Sequence, residues 1–413
     1  MGQSPTLWIN EQSHKMKAEG REVFKLGLGQ SPFPVPDRVV AALQTHAHEK
    51  DYLPVEGLYR LREAVSEYNA RTQKIESTAD DIMIGPGSKE LMFLLQLVYY
   101  GDLVISTPSW VSYAPQARML GQNVHWVDTH RQDNWHLLPE RLEELCAQDP
   151  ARPRLVIVNY PANPTGCTYS AAELKALAAV ARKYQLIVLS DEIYGELHFE
   201  GKHVSLARYY PEGTIISSGL SKWCGAGGWR LGTFSFPKEL RWLLEGMAAA
   251  ASETYTSTSA PIQYAAISAF QEDADIAEYL THSRQILKSV VSSAQSILRS
   301  RNVVTPNTEG AFYLFPDFDA YREGLAKRGI NTSQQLCQAL LHDTGIATLP
   351  GSVFGRPDDE LTLRMALVEF DGQKALQYAQ STTAKNLAQT CFETCCPRLS
   401  KALDALAQWL DDV

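Results

Sequence analysis

The chain has 413 residues, of which 45% are hydrophobic and 21% charged, so it is long enough for one large domain or two ordinary ones. Its net charge of −9, from 38 basic and 47 acidic residues, argues against a general nucleic-acid binder, although a few cations would suffice for a local anion site. The seven cysteines include no CxxC pair, which disfavours a zinc ribbon and predicts free thiols with no metal site.

The amino-terminal stretch, MGQSPTLWINEQSHKMK, lacks the apolar core of a signal peptide. No apolar run in the sequence reaches the roughly 20 residues that a membrane-spanning helix needs. We therefore expect a cytoplasmic protein that contacts no membrane.

The middle of the chain predicts strands that alternate with helices. Strands rich in Val, Ile and Leu, typical of strands buried on both faces, are predicted at 102–108, 154–160, 186–191, 214–219 and 231–236. Helices are predicted at 88–99 and 170–184, where Ser170 and Glu173 have the spacing of a capping box. This alternation predicts an α/β fold with a mostly parallel sheet covered by helices.

The tail of the chain predicts a second, smaller α+β domain. Residues 302–315 read as strand-rich, and helices are predicted at 332–344 and 399–410. We assign 48–290 to the large domain, and 1–47 with 291–413 to the small one.

Polar side chains follow the predicted strands, at the positions where ligands bind in open α/β sheets. Lys222 follows the strand at 214–219 and enters an apolar, glycine-rich segment, SGLSKWCGAGGWRLG, that also contains Arg230. A lone lysine is usually a solvated surface residue, but an amine in a close-packed pocket can attack a carbonyl. The segment therefore marks Lys222 as a candidate nucleophile.

Two further strand ends carry candidate groups. Asn163 lies in NYPANPTG, which is either an ordinary turn or a rigid support for an amide that binds a polar ring substituent. Asp191 and Tyr194 lie in SDEIYG, where the acid is either a cap or a buried carboxylate that keeps a pyridinium nitrogen protonated. Tyr194 could donate its hydroxyl to the same ring.

A helix start supplies a candidate anion site. In GPGSKEL, residues 85–91, backbone N–H groups and the positive end of the helix dipole would favour a phosphate. Ser88 can add a hydroxyl and Lys89 a charge. A glycine and serine at a helix start are common, so this segment alone is a weak signal.

Taken together, these segments resemble the class I/II aminotransferases, which are pyridoxal 5′-phosphate (PLP) enzymes of fold type I. The resemblance covers nearly the whole chain in the family's order. The segments that carry it are LGLGQSPFP (26–34), DYLPVEGLYRLREAV (51–65), GPGSKEL (85–91), PSWVSY (108–113), NYPANPTG (159–166), SDEIYG (190–195), SGLSKWCGAGGWRLG (218–232), LPGSVFG (349–355) and LRMAL (363–367).

The resemblance implies roles around the cofactor ring. Lys222 is expected to form the Schiff base with PLP and then to act as general base and acid. Asp191 is expected to pair with the pyridine nitrogen, and Trp110 to stack on the ring. Asn163 and Tyr194 are expected to bond the ring oxygen, and Asn163 also to contact the substrate.

The same resemblance implies a phosphate site and a substrate clamp. Residues expected at the phosphate are Gly87, Ser88, Lys89, Ser221, Arg230 and, reaching across a homodimer interface, Tyr52. Arg364 is expected to hold the substrate α-carboxylate in a bidentate fork, with the backbone of Gly29 nearby. Without the preceding LPGSVFG, Arg364 would instead be read as an arginine extending from an apolar surface.

The chain departs from the family pattern at two places. Many members have Ser or Thr where this chain has Gly219, so that Ser218 or Ser221 would have to supply the hydroxyl. The segment 373–397 is longer than is usual in the family and predicts a surface helix or a disordered excursion.

The implied activity is ping-pong transfer of an amino group between an amino acid and a 2-oxo acid. Lyases and synthases of the same fold, such as C–S lyases or aminocyclopropane-carboxylate synthases, remain an alternative because they use the same lysine, aspartate and arginine. A non-catalytic binding or regulatory domain is a second alternative, which the intact motifs disfavour. No second arginine for a distal carboxylate is identifiable. Four aromatic residues either line a pocket for an apolar or aromatic side chain or belong only to the core: Trp8, Phe33, Tyr113 and Tyr255.

Overall fold

The structure, a computed structural model, describes residues 5–413 and their side chains except those of residues 5–8 and 10. The helices are α1 Pro5–Ala18, α2 Asp37–His46, α3 Tyr59–Gln73, α4 Ser88–Val98, α5 Tyr113–Met119, α6 Pro139–Gln148, α7 Ala171–Lys183, α8 Arg241–Ser252, α9 Ala260–Phe270, α10 Ala274–Arg299, α11 Arg322–Lys327, α12 Ser333–Thr344, α13 Gly372–Ser381, α14 Ala384–Cys395 and α15 Pro397–Asp411. The strands are β1 Phe24–Lys25, β2 Ile82–Gly85, β3 Asp102–Thr107, β4 Val124–Asp128, β5 Arg154–Asn159, β6 Ile187–Asp191, β7 Thr214–Gly219, β8 Gly232–Ser235, β9 Tyr313–Leu314, β10 Ile346–Ala347, β11 Leu349–Pro350 and β12 Leu363–Ala366.

A seven-stranded sheet forms the centre of the molecule, in the order β2-β8-β7-β6-β5-β3-β4. Only β8 runs antiparallel to its neighbours in this sheet. Successive residues of its inner strands face opposite cores: Leu155 and Ile157 pack with α4 and α8, whereas Val156 and Val158 pack with α6 and α7. This burial on both faces explains why the strands read as continuous apolar runs, and it confirms the predicted α/β class.

The helix α7 begins and ends where the sequence predicts. The Ser170 hydroxyl accepts a hydrogen bond from the Glu173 N–H, and the Glu173 carboxylate accepts one from the Ser170 N–H at 2.7 Å. These two bonds satisfy N–H groups that would otherwise lack partners at the helix start.

The strand-rich prediction for 302–315 is wrong, because only Tyr313–Leu314 forms a strand there. Asn302 and Ala311 adopt left-handed φ values of 56° and 59°, which an extended ladder does not accommodate. The Glu309 and Ala311 N–H groups instead donate to carbonyl oxygens of Gly166 and Leu197, in the loops that follow β5 and β6. The segment therefore packs against the loops at the carboxyl ends of β5 and β6.

Residues 373–397 fall almost entirely within α13 and α14 rather than forming a disordered excursion. Leu387 and Cys391 of α14 are fully buried against the same core as α10.

All seven cysteines carry free thiols. The strands of the central sheet all lie within 82–235, and position 290 of the predicted domain boundary falls inside α10, so the domain limits stay a prediction. None of the helices described in residues 5–413 has both the length and the apolar character of a membrane span.

Candidate active site

A cavity of about 460 Å³ opens beyond the carboxyl ends of β3, β5, β6 and β7. Its lining residues are Gly27, Leu28, Gly29, Ser88, Lys89, Trp110, Val111, Ser112, Tyr113, Asn159, Asn163, Asp191, Ile193, Tyr194, Ser221, Lys222, Arg230, Tyr313, Leu349 and Arg364. Because parallel strands end at one edge, residues far apart in the sequence meet here: Asn159 pairs with Asp191, and Asp191 with Ser217, in neighbouring strands.

The amine of Lys222 projects into this cavity from the loop after β7. Its Nζ donates a hydrogen bond to the Gly29 carbonyl oxygen at 2.8 Å and lies 5.6 Å from the centre of the Tyr194 ring. Among the described residues, no carboxylate forms an ion pair with Lys222. The lysine is therefore a cavity amine, not a solvated surface group.

Asp191 ends β6 and is almost completely buried. Its Oδ2 accepts a hydrogen bond from the Tyr113 hydroxyl at 2.5 Å, and its Oδ1 accepts one from the Ser217 hydroxyl at 3.2 Å. Burial raises the pKa of Asp191 to about 6, although both hydrogen bonds oppose that rise by stabilising the carboxylate. A cationic ring nitrogen would relieve the cost of this buried charge.

A cluster of cations lies at the start of α4. Burial, together with the charges of Arg230 and Lys222, lowers the pKa of Lys89, whose Nζ lies 5.0 Å from the Trp110 ring centre. Arg230 has a left-handed φ of 55° and donates to the Gly227 carbonyl oxygen at 2.9 Å. A Cβ on Gly87 would lie 2.2 Å from Nη2 of Arg230, so glycine lets the guanidinium approach the helix start. Mutually repelling cations beside a helix N-terminus form a site for an anion.

Arg364 is a buried cation whose hydrogen-bond acceptors are neutral. It donates to Asn163 Oδ1 at 3.0 Å and to the Gly27 carbonyl oxygen at 2.6 Å, while its buried Nε has no partner among the described residues. Burial lowers the pKa of the guanidinium from its ordinary value, although an arginine stays protonated in proteins. A buried arginine with no carboxylate partner is suited to bind one from a ligand.

Most of the residues predicted for the site line this cavity. Gly87 does not line it but abuts Arg230, as described above. Tyr52 lies outside the cavity and is 88% exposed, so this chain alone does not bring it to the site.

Sequence reasoning missed the hydrogen-bonding role of two tyrosines. Tyr113, considered only as a pocket wall or a core residue, donates a hydrogen bond to Asp191, and the Tyr313 hydroxyl bonds the Tyr194 hydroxyl at 2.8 Å. Tyr113 lies in PSWVSY, close to the end of a predicted strand, and this position could have indicated a role at the site. Tyr313 lies in residues 302–315, whose structure the sequence did not predict correctly. Phe33 is core, packed edge-on against Tyr279 and Phe370.

The other two aromatic candidates are Tyr255 and Trp8. Tyr255 packs against the sheet core, and the Trp8 side chain lies outside the described residues.

Residues 21–370 match the family model described as aminotransferase class I and II. The chain belongs to this family. It is 34% identical over 366 residues to an aspartate aminotransferase of Geobacillus stearothermophilus, an alignment that covers 86% of this chain and 90% of the relative. It is 29% identical over 374 residues to an asparagine–oxo-acid transaminase of Streptococcus mutans, covering 87% and 91%.

The fold matches that of a solved family member. The aspartate aminotransferase of Thermus thermophilus with maleate superimposes with a TM-score of 0.83 at 26% identity, covering 99% of this chain and 97% of that one. The chain is therefore an aminotransferase, which transfers an amino group between an amino acid and a 2-oxo acid, and the family implies PLP as its cofactor.

Proposed function

We propose that this aminotransferase binds PLP through the Lys222 amine and works by a ping-pong cycle in the cavity described above. The observation that carries the proposal is that one cavity joins an amine without an acidic partner, a buried carboxylate and a cation cluster. These three features match three of the polar groups of PLP, which are its aldehyde, its basic ring nitrogen and its phosphate.

The residues present fit the cofactor. Asp191 would face the ring nitrogen, and its raised pKa reflects a buried charge that a cationic partner would stabilise. Trp110 would cover the ring, and Asn163 and Tyr194 would bond the ring oxygen. The Asn163 side-chain oxygen already accepts from Arg364, which leaves its amide nitrogen as the group that can donate.

The other end of the cofactor would lie at the start of α4. Ser88, Lys89, Ser221 and Arg230 line the cavity and would hold the phosphate, with Gly87 providing the space for Arg230. When bound, PLP supplies an electrophilic carbon and a cationic ring that withdraws electrons from the substrate.

The chain's own groups would then perform the remaining work. Arg364 binds the substrate α-carboxylate, and so fixes the position of the α-carbon. The released Lys222 Nζ accepts the proton from that carbon and delivers it again later in the cycle. Asp191 holds a proton on the ring nitrogen by its negative charge.

Two measurements test this proposal. Reduction with borohydride should tag Lys222 in a peptide digest, and Lys222→Ala should lose the tag together with turnover. An amino acid supplied alone should convert the cofactor to its amino form with release of one equivalent of 2-oxo acid. A tag on another lysine would refute the site, whereas continuous product release with unchanged cofactor would indicate a lyase.

We further propose that the enzyme is a homodimer with the active site at the interface. The support is Tyr52, whose exposed ring stands apart from the cavity of its own chain although the family motif suggests a phosphate contact. Light scattering should give twice the 45.9 kDa chain mass, and Tyr52→Phe should weaken cofactor binding. A monomer with full activity would contradict this.

The printed names of the relatives suggest the first donors to test. One is an aspartate aminotransferase and another an asparagine–oxo-acid transaminase. Aspartate and asparagine have nearly the same shape and differ in charge, so together they separate shape from charge in the choice of substrate.

A further inference from the structure

A second buried acid, Glu192, directly follows Asp191 at the end of β6. Asp191 lines the active-site cavity, whereas Glu192 does not, and none of the roles assigned above involves Glu192. Its side chain is 5% exposed. Two adjacent carboxylates removed from water lose their hydration and repel one another. Ionisation of Asp191 therefore depends on what compensates the charge of Glu192.

The imidazole of His203 faces this carboxylate from the loop between β6 and β7. Its Nε2 lies 2.7 Å from Glu192 Oε2, and its side chain is 7% exposed. Gly195 provides the space for the ring, because a Cβ there would lie 2.8 Å from His203 Cδ2. The buried Nδ1 of His203 has no partner among the described residues, so the ring's hydrogen bond is to Glu192.

Hydroxyl groups hold the other oxygen of Glu192. Its Oε1 accepts a hydrogen bond from Ser205 at 2.6 Å, from Ser190 at 2.7 Å and, at 3.4 Å, from Tyr160. Burial raises the pKa of Glu192, but the charge and hydrogen bond of His203, together with the two serine hydroxyls, lower it below its ordinary value. The protein therefore holds Glu192 as a buried carboxylate against a histidine.

The other ionisable groups around the pair are neutral or paired. Burial, with the charges of His203 and Arg284, lowers the pKa of His198 to about 4, so His198 is neutral at pH 7. Arg284 forms an ion pair with Glu196 at 2.5 Å, and burial raises the pKa of the Tyr160 phenol. Further out lie the phenol of Tyr68, which bonds Glu196, the exposed Lys202, and the exposed ion pair of Glu200 with Lys288.

Asp191 responds to the charge of its neighbour. Burial is the main cause of its raised pKa of about 6, and the charge of Glu192 adds to the rise. A protonated His203 offsets that charge, since two opposite charges 2.7 Å apart act on Asp191 more weakly than a lone carboxylate does.

We propose that Glu192 and His203 are a pair of positioning residues behind Asp191, in which the protonated imidazole offsets the Glu192 carboxylate and so keeps Asp191 ionised for a cationic ring nitrogen. This rests on the proposed function, which assigns Asp191 to that nitrogen. Both side chains are buried within one chain, so the pair is complete without a second subunit. His203 thereby acts on a catalytic acid through Glu192.

The first experiment titrates the cofactor-free protein, so its readout is independent of PLP. Carbon NMR of protein labelled at its aspartate carboxyl groups follows Asp191, whose signal is the one lost in Asp191→Asn. Glu192→Gln removes the repelling charge and should move the titration of Asp191 to lower pH by about half a pH unit or more. His203→Gln leaves the carboxylate uncompensated and should move the titration to higher pH. No shift, or shifts in the same direction, would mean that the pair is only structural and would overturn the inference.

The matched control is His125→Gln. His125 pairs with Asp102 at 2.9 Å where β3 begins, at the opposite end of the sheet from Asp191, so its loss should leave the Asp191 titration unchanged. Where a Glu192 or His203 variant fails to fold, nitrogen NMR of wild-type protein labelled at its ten histidines decides. The His203 ring should be protonated at pH 7, and a neutral ring would overturn the inference.

Titration with PLP separates this inference from the proposed function. The pH below which PLP binding declines should move down in Glu192→Gln and up in His203→Gln. Opposite NMR shifts without any uptake of PLP by the wild type would reject the proposed site and leave the charge pair standing. Uptake whose pH dependence is the same in both variants and the wild type would overturn the inference and leave the proposed site standing.

Discussion

The Tyr113 hydroxyl lies 2.5 Å from Asp191 Oδ2, where a side chain from the start of α5 holds the acid at the end of β6. Ser217 holds the other carboxylate oxygen from the neighbouring strand. The two donors orient the Asp191 carboxylate and stabilise its ionised form, which burial disfavours. Two residues to which the sequence assigned no role at the cofactor therefore orient this acid and favour its ionised form.

Tyr113→Phe should weaken cofactor uptake by raising the pKa of Asp191 further. In the cofactor-free protein Asp191 loses its charge as the pH falls through about 6, so PLP binding should decline below that pH. Without the Tyr113 hydrogen bond the carboxylate is less stabilised, and the decline should begin at a higher pH. Equilibrium titration with PLP between pH 5 and 8 measures this.

The matched control is Ser217→Ala, which removes the longer bond of 3.2 Å and should move the midpoint less. A midpoint that stays in place in both variants would show that neither donor tunes Asp191.

Asp191→Asn should exchange activity for stability. Because the pKa of Asp191 is raised in the folded protein, the protonated acid stabilises the cofactor-free fold. This stabilisation is fully present below pH 3.8, the ordinary pKa of the acid, and is lost as the pH rises through about 6. At pH 7 the neutral amide should stabilise the cofactor-free protein by up to about 3 kcal/mol, while turnover falls by orders of magnitude. Thermal melts at pH 5 and 7 and steady-state rates measure both.

The sign of the Tm difference between Asp191→Asn and the wild type shows whether the buried charge destabilises the fold. The gain in Tm should shrink at low pH, where the wild-type acid is itself neutral. An asparagine variant that melts lower than wild type at pH 7 without cofactor would contradict a costly buried charge.

Arg364→Lys should raise KM for the amino acid more than it lowers kcat. Lysine keeps the positive charge but loses the planar fork that can hold both carboxylate oxygens, and its one nitrogen replaces the two guanidinium nitrogens that bond Asn163 and Gly27. A loss of about tenfold to a hundredfold in kcat/KM is expected. The absorption of the bound cofactor should stay unchanged, because the proposed role of Arg364 is to bind the substrate; a changed spectrum would place Arg364 at the cofactor instead.

The sequence predicted the central sheet and the grouping of the candidate site residues because both depend on local patterns. Apolar runs mark strands buried on two faces, and the groups that close β5, β6 and β7 necessarily meet at one edge. Asn163, Asp191 and Lys222 could therefore be placed together before any coordinates were known.

Contacts that depend on tertiary packing were not predictable in this way. Tyr313 reaches Tyr194 only because residues 302–315 run as an irregular loop, fixed by backbone bonds to Gly166 and Leu197. The burial of α14 depends on α10, almost a hundred residues earlier in the chain. The hydrophobic periodicity of residues 302–315 and of α14 does not indicate either of these packing partners.

Gly87→Ala should weaken cofactor binding through Arg230 rather than through backbone strain alone. Gly87 has a φ of 92°, and a Cβ there would meet the Arg230 guanidinium at 2.2 Å, so the cation must withdraw from the start of α4. Gly121→Ala is the matched control: its φ is 71°, but a Cβ there has no neighbour within 4 Å. Both variants should lose about 1 kcal/mol or more of folding stability, because alanine disfavours positive φ. Only Gly87→Ala should also raise the Kd for PLP, measured by titration of the cofactor-free protein; an equal Kd in the two variants would mean that Arg230 does not hold the phosphate.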